Sequence, residues 1–401
     1  MMQPAAIVYF LTLCGFLSAK TLNMTIDNLQ ELMLNALNDI KNNVDDNLNT
    51  LELIKKAGYL AEAHVVLTED GYLLTIHRIP GAKNSPPVFV QHGLLCSSAA
   101  WIINGKQGAL AYKLADQGYN VWLGNFRGNT YSRTHISLSP SDSKFWDFSF
   151  EEIGTYDLPA IISYITNLTS KPLYTYIGHS MGTTTFYVMA IKRPEIAKMV
   201  RMMISLAPAA FIGNMTSSLQ LLVPFTSSFE AMHFLGIYEF LPTNCVLQYL
   251  MKVLCNIDFF TQQICSNIIF YICGFDEEQF NYNLLPMILV QFPSGTSIKL
   301  VSHFLQEINS GKFRAYDYGR EKNMQIYNAT IPPDYDLSRI TVPIALIHAG
   351  NDWVVTEKDL KMLRDSLTNI VEDYRVPFPK FNHAVFMWAK DVDALVRNNF
   401  V

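Results

Sequence analysis

Charged residues are scarce in this chain. Only 16% of its 401 residues are Asp, Glu, Lys or Arg, and the formal net charge is −5. A chain that is mildly acidic lacks the basic surface that nucleic acids require, so we expect no nucleic-acid partner. Half of the residues are hydrophobic, which favours one large domain with an insertion, or two smaller domains.

Long apolar runs are also missing. No segment beyond the N-terminus has 18 consecutive apolar residues, so the sequence predicts no transmembrane helix. The stretch from Ala5 to Ala19 is apolar and uncharged, ends in small residues and is short for a membrane span. It is typical of a secretory signal peptide cleaved near Ala19, with a membrane anchor as the alternative interpretation.

Cysteine is sparse. The chain has six cysteines, and Cys14 would leave with the signal peptide. The odd number that remains requires at least one free thiol or an intermolecular disulfide. Glycosylation is expected of a chain in the secretory pathway, and four N-x-S/T sequons offer sites for it. They begin at Asn23, Asn167, Asn214 and Asn328.

Strand-like and helix-like segments alternate along most of the chain. A hairpin is predicted where residues 63–68 and 72–79 flank Glu69-Asp70-Gly71. Short apolar strands then recur between helical stretches, at residues 88–90, 121–123, 174–176, 202–204, 344–346 and 374–376. This alternation predicts an α/β fold with a mostly parallel sheet covered on both faces. In such sheets the chemistry lies at the carboxyl ends of the strands.

The segment 208–340 breaks this alternation. Between Met202 and Phe275 the only charged residues are Glu230, Glu239, Lys252 and Asp258. One interpretation is an inserted helical subdomain with its own core, and another is a cap whose inner face meets a lipid; the two are compatible. The predicted organisation is a signal peptide (1–19), an N-terminal extension (20–55), a core in two parts (56–207 and 341–401) and a cap (208–340).

The most informative motif is Gly178-His179-Ser180-Met181-Gly182, which fits G-x-S-x-G. A strand-like run precedes it and a helix-like run follows it, which is the context of a nucleophile elbow. The two glycines are expected because a Cβ would clash with the neighbouring strand or helix. Ser180 is therefore the predicted nucleophile, and a chance match on a tight turn is the alternative.

A serine nucleophile needs a base and an acid, which follow it in the chain order of α/β-hydrolases. Asp352 follows the predicted strand 343–348 and is the candidate acid, with Asp359 and Asp365 as rivals in the next helix. Of nine histidines only His383 lies beyond Asp352, so it is the candidate base. Structural roles are expected for the other histidines near the motifs, His92, His179 and His348.

The oxyanion of the tetrahedral intermediate needs two backbone N–H donors. One donor should be Met181, which follows the nucleophile. The second should come from the loop after an early strand, where Leu94 is our choice and Gly93 the alternative. The sequence predicts acyl transfer without a cofactor or a metal ion.

A series of further motifs extends over the chain from about Gly58 to near the C-terminus. They are His92-Gly93-Leu94-Leu95, Val121 to Asn125 with Arg127 to Ser132, Phe145 to Ser149, Tyr156 to Pro159, Pro293 to Ser297 and Ala315 to Gly319. With these segments the chain resembles the acid lipase family of gastric and lysosomal lipases and their insect relatives.

The resemblance implies an α/β-hydrolase core, a cap with a lid, and hydrolysis of triacylglycerols or sterol esters at a lipid–water interface, in the extracellular space or the lysosome. It places nucleophile, acid and base on Ser180, Asp352 and His383. It also implies a Cys255–Cys265 disulfide and a free Cys273. The chain departs from the family at Met181, where Gln is frequent, and at Ala384-Val385, where Leu-Asp is usual.

Two other functions remain open from the sequence. A non-catalytic lipid carrier or storage protein can occupy a hydrolase fold, although such a protein has usually lost a triad residue. A soluble short-chain esterase or a peptidase would share the triad and act on a different acyl group. All three triad candidates are present, which disfavours the carrier, and the charge-poor cap favours long acyl chains by its composition.

Overall fold

The computed structural model describes residues 48–242 and 259–396. In chain order the strands are β1 Glu62–Leu67, β2 Tyr72–Ile79, β3 Pro87–Gln91, β4 Asn120–Leu123, β5 Thr134–His135, β6 Thr175–His179, β7 Met203–Leu206, β8 Glu239–Phe240, β9 Thr296–Ser297, β10 Ile344–His348 and β11 Ile370–Arg375. The predicted signal peptide lies outside the described residues.

Helices cover the sheet and fill the segment between β7 and β10. The α-helices are α1 Thr50–Lys56, α2 Gly105–Gly108, α3 Leu110–Asp116, α4 Phe150–Glu152, α5 Leu158–Thr169, α6 Met181–Lys192, α7 Pro194–Ala197, α8 Thr226–Phe234, α9 Phe259–Cys273, α10 Leu285–Gln291, α11 Ile298–Ser310, α12 Arg320–Tyr327, α13 Glu357–Ser366, α14 Val385–Trp388 and α15 Val392–Leu395. Shorter 3₁₀ or π turns occupy Ser98–Trp101, Ser143–Trp146, Ile153–Asp157, Ser218–Phe225, Tyr282–Leu284 and Leu337–Arg339.

The large sheet has the strand order β1-β2-β4-β3-β6-β7-β10-β11, with β5 paired to β2. From β4 to β11 neighbouring strands are parallel, whereas β1, β2 and β4 pair antiparallel. The predicted hairpin is confirmed, since Leu67 pairs with Leu73 across the turn. The predicted α/β fold with a mostly parallel sheet is confirmed as well.

Burial along the strands explains this architecture. Every residue of β3, β6 and β10 is buried, as expected for parallel strands covered on both faces. Side chains of β3 alternate between two apolar cores: Phe89 packs into one core, and Val88 and Val90 pack into the other. Strand β11 begins at Ile370, four residues before the strand predicted at Tyr374. The prediction missed its first part because Glu372 and Asp373 interrupt the apolar residues of this largely exposed strand.

The segment between β7 and β10 forms its own local structure. It contains α8 to α12 among its described helices and a two-stranded antiparallel sheet of β8 and β9. Phe229, Ile298, Val301 and Leu305 form a buried apolar cluster within it. The inserted subdomain and the cap over a lipid, the two interpretations of the sequence, stay predictions.

A buried ion cluster anchors the loop after β4. Arg127 is 2% exposed, and its guanidinium donates to Asp70 at 2.6 and 2.9 Å and to Asp157 at 2.7 Å. The ring of Tyr72 lies 3.9 Å from the guanidinium carbon. The two carboxylates hold the pKa of Arg127 above its usual range, so the cation persists and fixes the loop in place.

Candidate active site

Ser180 occupies a strained turn between β6 and α6. Its backbone has φ 52° and ψ −121°, a conformation that non-glycine residues rarely adopt. The adjacent glycines permit this turn: a Cβ on Gly178 would lie 2.8 Å from the Gly182 backbone, and a Cβ on Gly182 would lie 2.5 Å from the Gln91 carbonyl oxygen. The backbone thus has the geometry that the G-x-S-x-G motif predicts for a nucleophile elbow.

The structure brings Ser180, His383 and Asp352 together in one hydrogen-bonded chain. The Ser180 Oγ lies 2.8 Å from the His383 Nε2, and the His383 Nδ1 lies 2.8 Å from the Asp352 Oδ2. A carboxylate can only accept, so Nδ1 carries the proton and Nε2 is left to accept from the serine hydroxyl. Asp352 and His383 are each 6% exposed. This arrangement can activate the hydroxyl as a nucleophile.

Asp352 is oriented by its own turn. Its Oδ1 accepts hydrogen bonds from the backbone N–H groups of Val354, at 2.9 Å, and Val355, at 2.8 Å. Its Oδ2 is therefore directed to His383. The rival carboxylates lie elsewhere: Asp359 accepts from the Asn214 side chain at 2.8 Å, and Asp365 is paired on the surface with Lys361.

The turn that carries His383 is held by backbone hydrogen bonds. The His383 N–H donates to the Cys273 carbonyl at 3.2 Å, and the His383 carbonyl accepts from the His179 Nε2 at 2.9 Å. Burial, together with the proximity of His383, lowers the pKa of His179 to about 3. His179 is therefore a neutral donor that fixes the base turn, which is a structural role of the kind expected from the sequence.

The loop after β3 lies directly against the nucleophile. A Cβ on Gly93 would lie 3.2 Å from the Ser180 Cβ. Within residues 48–242 and 259–396, neither the Leu94 amide nor the Met181 amide donates a hydrogen bond to the protein. Both amides are thus available to an oxyanion, and the choice of Leu94 over Gly93 stays a prediction.

His92 braces this loop from behind. Its Nδ1 donates to the Gly93 carbonyl at 2.8 Å, and its Nε2 accepts from Phe126 N–H at 3.4 Å and Asn129 Nδ2 at 3.3 Å. Burial lowers the pKa of His92 to about 4, so the ring is neutral. The carbonyl that it binds belongs to the peptide whose N–H is that of Leu94, so His92 fixes the direction of that donor.

The structure describes three of the cysteines and three of the four predicted glycosylation sites. Cys265 is disulfide-bonded, and Cys96 and Cys273 are free. Because Cys255 lies outside the described residues, the Cys255–Cys265 pairing stays a prediction. The predicted glycosylation sites Asn167, Asn214 and Asn328 are exposed, whereas Asn23 lies outside the described residues.

Comparison with known proteins identifies the family. The family description "Partial alpha/beta-hydrolase lipase region" matches residues 50–105, and "alpha/beta hydrolase fold" matches residues 86–231. The chain is 39% identical over 362 residues to gastric triacylglycerol lipase of Homo sapiens, covering 88% of this chain and 90% of that protein. The chain belongs to the acid lipase family.

Two other acid lipases are similarly close. Lipase 1 of Drosophila melanogaster is 42% identical over 348 residues, covering 87% of this chain and 77% of that protein. Lysosomal acid lipase/cholesteryl ester hydrolase of Homo sapiens is 36% identical over 365 residues, covering 89% of this chain and 90% of that protein. The resemblance stated from the motifs is confirmed. None of the described helices of this acid lipase is long and apolar enough to span a membrane.

Proposed function

We propose that this acid lipase hydrolyses carboxylic esters of neutral lipids, triacylglycerols or sterol esters, through an acyl-enzyme on Ser180. The observation that carries the proposal is the hydrogen-bonded chain from Ser180 through His383 to Asp352, with 2.8 Å at each step. It lies at the carboxyl end of β6, where α/β folds place their chemistry.

Acylation begins when the Ser180 Oγ attacks the ester carbonyl carbon and His383 Nε2 takes the hydroxyl proton. Asp352 keeps the imidazole oriented and stabilises its cation. The Leu94 and Met181 amides receive the oxyanion, each worth about 3 kcal/mol in the barrier. The tetrahedral intermediate then expels the alcohol, which leaves with the proton from His383.

Deacylation repeats the sequence with water. His383 takes a proton from the water as its oxygen attacks the acyl carbon of the ester on Ser180. The second tetrahedral intermediate releases the carboxylic acid, and His383 returns the proton to the serine oxygen. The side chains involved balance every proton, so the cycle needs no cofactor or metal ion.

The insertion supplies the apolar surroundings of a lipid substrate. We assign residues 56–207 and 341–401 to the hydrolase core and 208–340 to the cap. The described cap exposes Leu221, Phe225 and Leu235 by 72%, 55% and 76%. Exposed apolar side chains on a charge-poor insertion favour contact with a lipid–water interface.

The names of the relatives support a proposal for the cellular location of this chain. Relatives named gastric and lysosomal lipase favour the secretory pathway, so we assign this chain to the extracellular space or the lysosome, with residues 1–19 as the signal peptide. The exposed Asn167, Asn214 and Asn328 are the glycosylation sites within the described residues.

The test is hydrolysis of emulsified long-chain triacylglycerol, a sterol ester and a soluble short-chain ester by wild type and Ser180→Ala. The variant removes only the attacking oxygen, and we expect its turnover to fall by at least about 10³-fold on every substrate that the wild type cleaves. Thermal unfolding of both proteins should agree, because the deleted hydroxyl supports no other bond of the described structure.

The outcomes separate the three functions that the sequence left open. Lipid binding without hydrolysis by the wild type would indicate a lipid carrier. Preference for the soluble ester, with no gain on emulsions, would indicate a short-chain esterase. Equal turnover by wild type and Ser180→Ala would end the proposal of a serine acyl-enzyme.

A further inference from the structure

The last residue of α9 and the two residues that follow it contact the turns of both the acid and the base. We call Cys273, Gly274 and Phe275 the strap. The Cys273 carbonyl accepts from the backbone N–H of His383 at 3.2 Å and from that of Trp353 at 3.4 Å. One peptide oxygen of the cap thus binds the base itself and the residue after Asp352.

The next two carbonyls of the strap receive side-chain amides. The Asn382 Nδ2 donates to the Gly274 carbonyl at 2.7 Å, and the Asn351 Nδ2 donates to the Phe275 carbonyl at 2.8 Å. Asn382 immediately precedes His383, and Asn351 immediately precedes the triad acid. The two turns are therefore attached to the strap in the same way, each through the asparagine before its triad residue.

Each asparagine also braces its own turn. The Asn382 Oδ1 accepts from the N–H groups of Ala384, at 2.9 Å, and Val385, at 3.1 Å, and its side chain is fully buried. The Asn351 Oδ1 accepts from the Trp353 Nε1 at 3.1 Å. Because both ends of each amide are engaged, neither side chain can turn without breaking bonds on two sides.

The strap approaches the acid turn so closely that only glycine fits. Gly274 has φ +107°, and a Cβ there would lie 2.2 Å from the Asn351 carbonyl oxygen. This close approach lets three successive carbonyls reach two separate turns.

We propose that Asn351 and Asn382 are positioning residues of the hydrolysis, which fix the acid and the base relative to each other by holding both turns to the strap. The inference rests on the proposed function, since it concerns the geometry of that triad. The Ser180–His383 and His383–Asp352 hydrogen bonds depend on two turns that are 31 residues apart, and the strap is a common support for both.

The experiment measures kcat, KM, the pH profile of kcat/KM and thermal unfolding for Asn382→Ala and Asn351→Ala. We expect kcat per folded molecule to fall about 10²-fold while KM stays unchanged, because a displacement of about 1 Å costs that much in rate. The pH profile of kcat/KM should also differ from that of the wild type, because the hydrogen bond between the imidazole and Asp352 is no longer held in alignment.

Asn382→Asp distinguishes the hydrogen bond to the strap from the hydrogen bonds within the turn. A carboxylate still accepts from Ala384 and Val385, but it cannot donate to the Gly274 carbonyl. We expect it to retain the fold if Asn382→Ala does not, and still to show a reduced kcat.

Asn323 provides the matched control. It is fully buried, its Nδ2 donates to Asp317 at 2.7 Å and to the Thr330 carbonyl at 3.2 Å, and its Oδ1 accepts from Tyr318 N–H at 2.9 Å. Asn323→Ala should lower the melting temperature about as much as Asn382→Ala and leave kcat and the pH profile unchanged.

The proposal is overturned if the Asn351 and Asn382 variants behave like Asn323→Ala, with lower stability but wild-type kcat and pH profile. Failure of the proposed function looks different, because Ser180→Ala would then retain full activity. The two inferences are thus tested by separate variants.

Discussion

The nucleophile and its two partners are held in place by different means. Ser180 depends on its immediate neighbours: a strand, two glycines and a helix within a few residues determine its turn. The turns of Asp352 and His383 depend on a distant segment, since the N–H groups of Trp353 and His383 both donate to the Cys273 carbonyl, 80 and 110 positions away. Local sequence therefore specifies where the serine lies, whereas tertiary contacts specify where its acid and base lie.

The largest effect is expected from substituting Asp352, the proposed acid, whose turn is held by distant contacts. In Asp352→Asn the amide oxygen can still accept from Val354 and Val355, which leaves an N–H₂ group facing the His383 Nδ1–H. The imidazole must then adopt the other tautomer, so we expect kcat to fall about 10⁴-fold. Turnover on a soluble ester measures this effect without interfacial binding.

Asp359→Asn is the control for that prediction. Asp359 is a buried carboxylate of the same region, and it accepts from Asn214 and Thr356 rather than from His383. Its variant should retain wild-type kcat per folded molecule. If Asp359→Asn loses activity as Asp352→Asn does, the assignment of the acid is wrong.

A smaller effect is expected from disturbing the turn that carries Ser180, which is held by its neighbours in the sequence. In Gly182→Ala the new Cβ would lie 2.5 Å from the Gln91 carbonyl oxygen, and backbone cannot move aside as a flexible side chain does. We expect a loss of about 1–3 kcal/mol in the free energy of unfolding. Urea denaturation with parallel activity measurements checks it; unchanged stability and turnover would show that the elbow has room for a methyl group.

The smallest effect is expected at Glu307, a buried acid of α11 that is not part of the triad. Burial raises the pKa of Glu307 well above its usual 4.5, against a backbone hydrogen bond from Arg314 that lowers it. The folded state then keeps a proton that the unfolded chain releases. This contribution to stability is full below pH 4.5 and is lost as the pH rises towards the raised pKa.

Glu307→Gln should therefore flatten the pH dependence of stability. We expect the melting temperature of the wild type to fall more steeply than that of the variant as the pH rises above 4.5. Thermal unfolding across this range checks the prediction, with kcat as the control, because Glu307 lies outside the triad. Parallel melting curves would contradict a protonated Glu307.

The sequence was informative where structure is encoded locally. The G-x-S-x-G context predicted the turn at Ser180, and the order of the chain singled out Asp352 and His383, which the structure then brings within hydrogen-bonding distance of one another. The hairpin and the parallel strands followed from apolar runs and turn residues.

The supporting contacts could not be predicted in this way. Asparagine is common in turns, so the sequence does not distinguish Asn351 and Asn382 from ordinary turn residues. Their partners are carbonyls of a segment far away in the chain. His92 and His179 were expected to be structural, and their hydrogen bonds to backbone carbonyls of the site emerge only in three dimensions. Such contacts leave no periodicity or spacing in the sequence.

The carbonyl of Trp353 accepts from the N–H groups of Thr216, at 2.8 Å, and Ser217, at 3.0 Å, while its own N–H donates to Cys273. Two separate parts of the segment between β7 and β10 thus bind the backbone of Trp353, the residue that follows the proposed acid Asp352. A chimaera that replaces the segment between β7 and β10 with that of another hydrolase would also have to carry the other protein's acid loop. Without it, the Trp353 backbone would lose its hydrogen-bond partners.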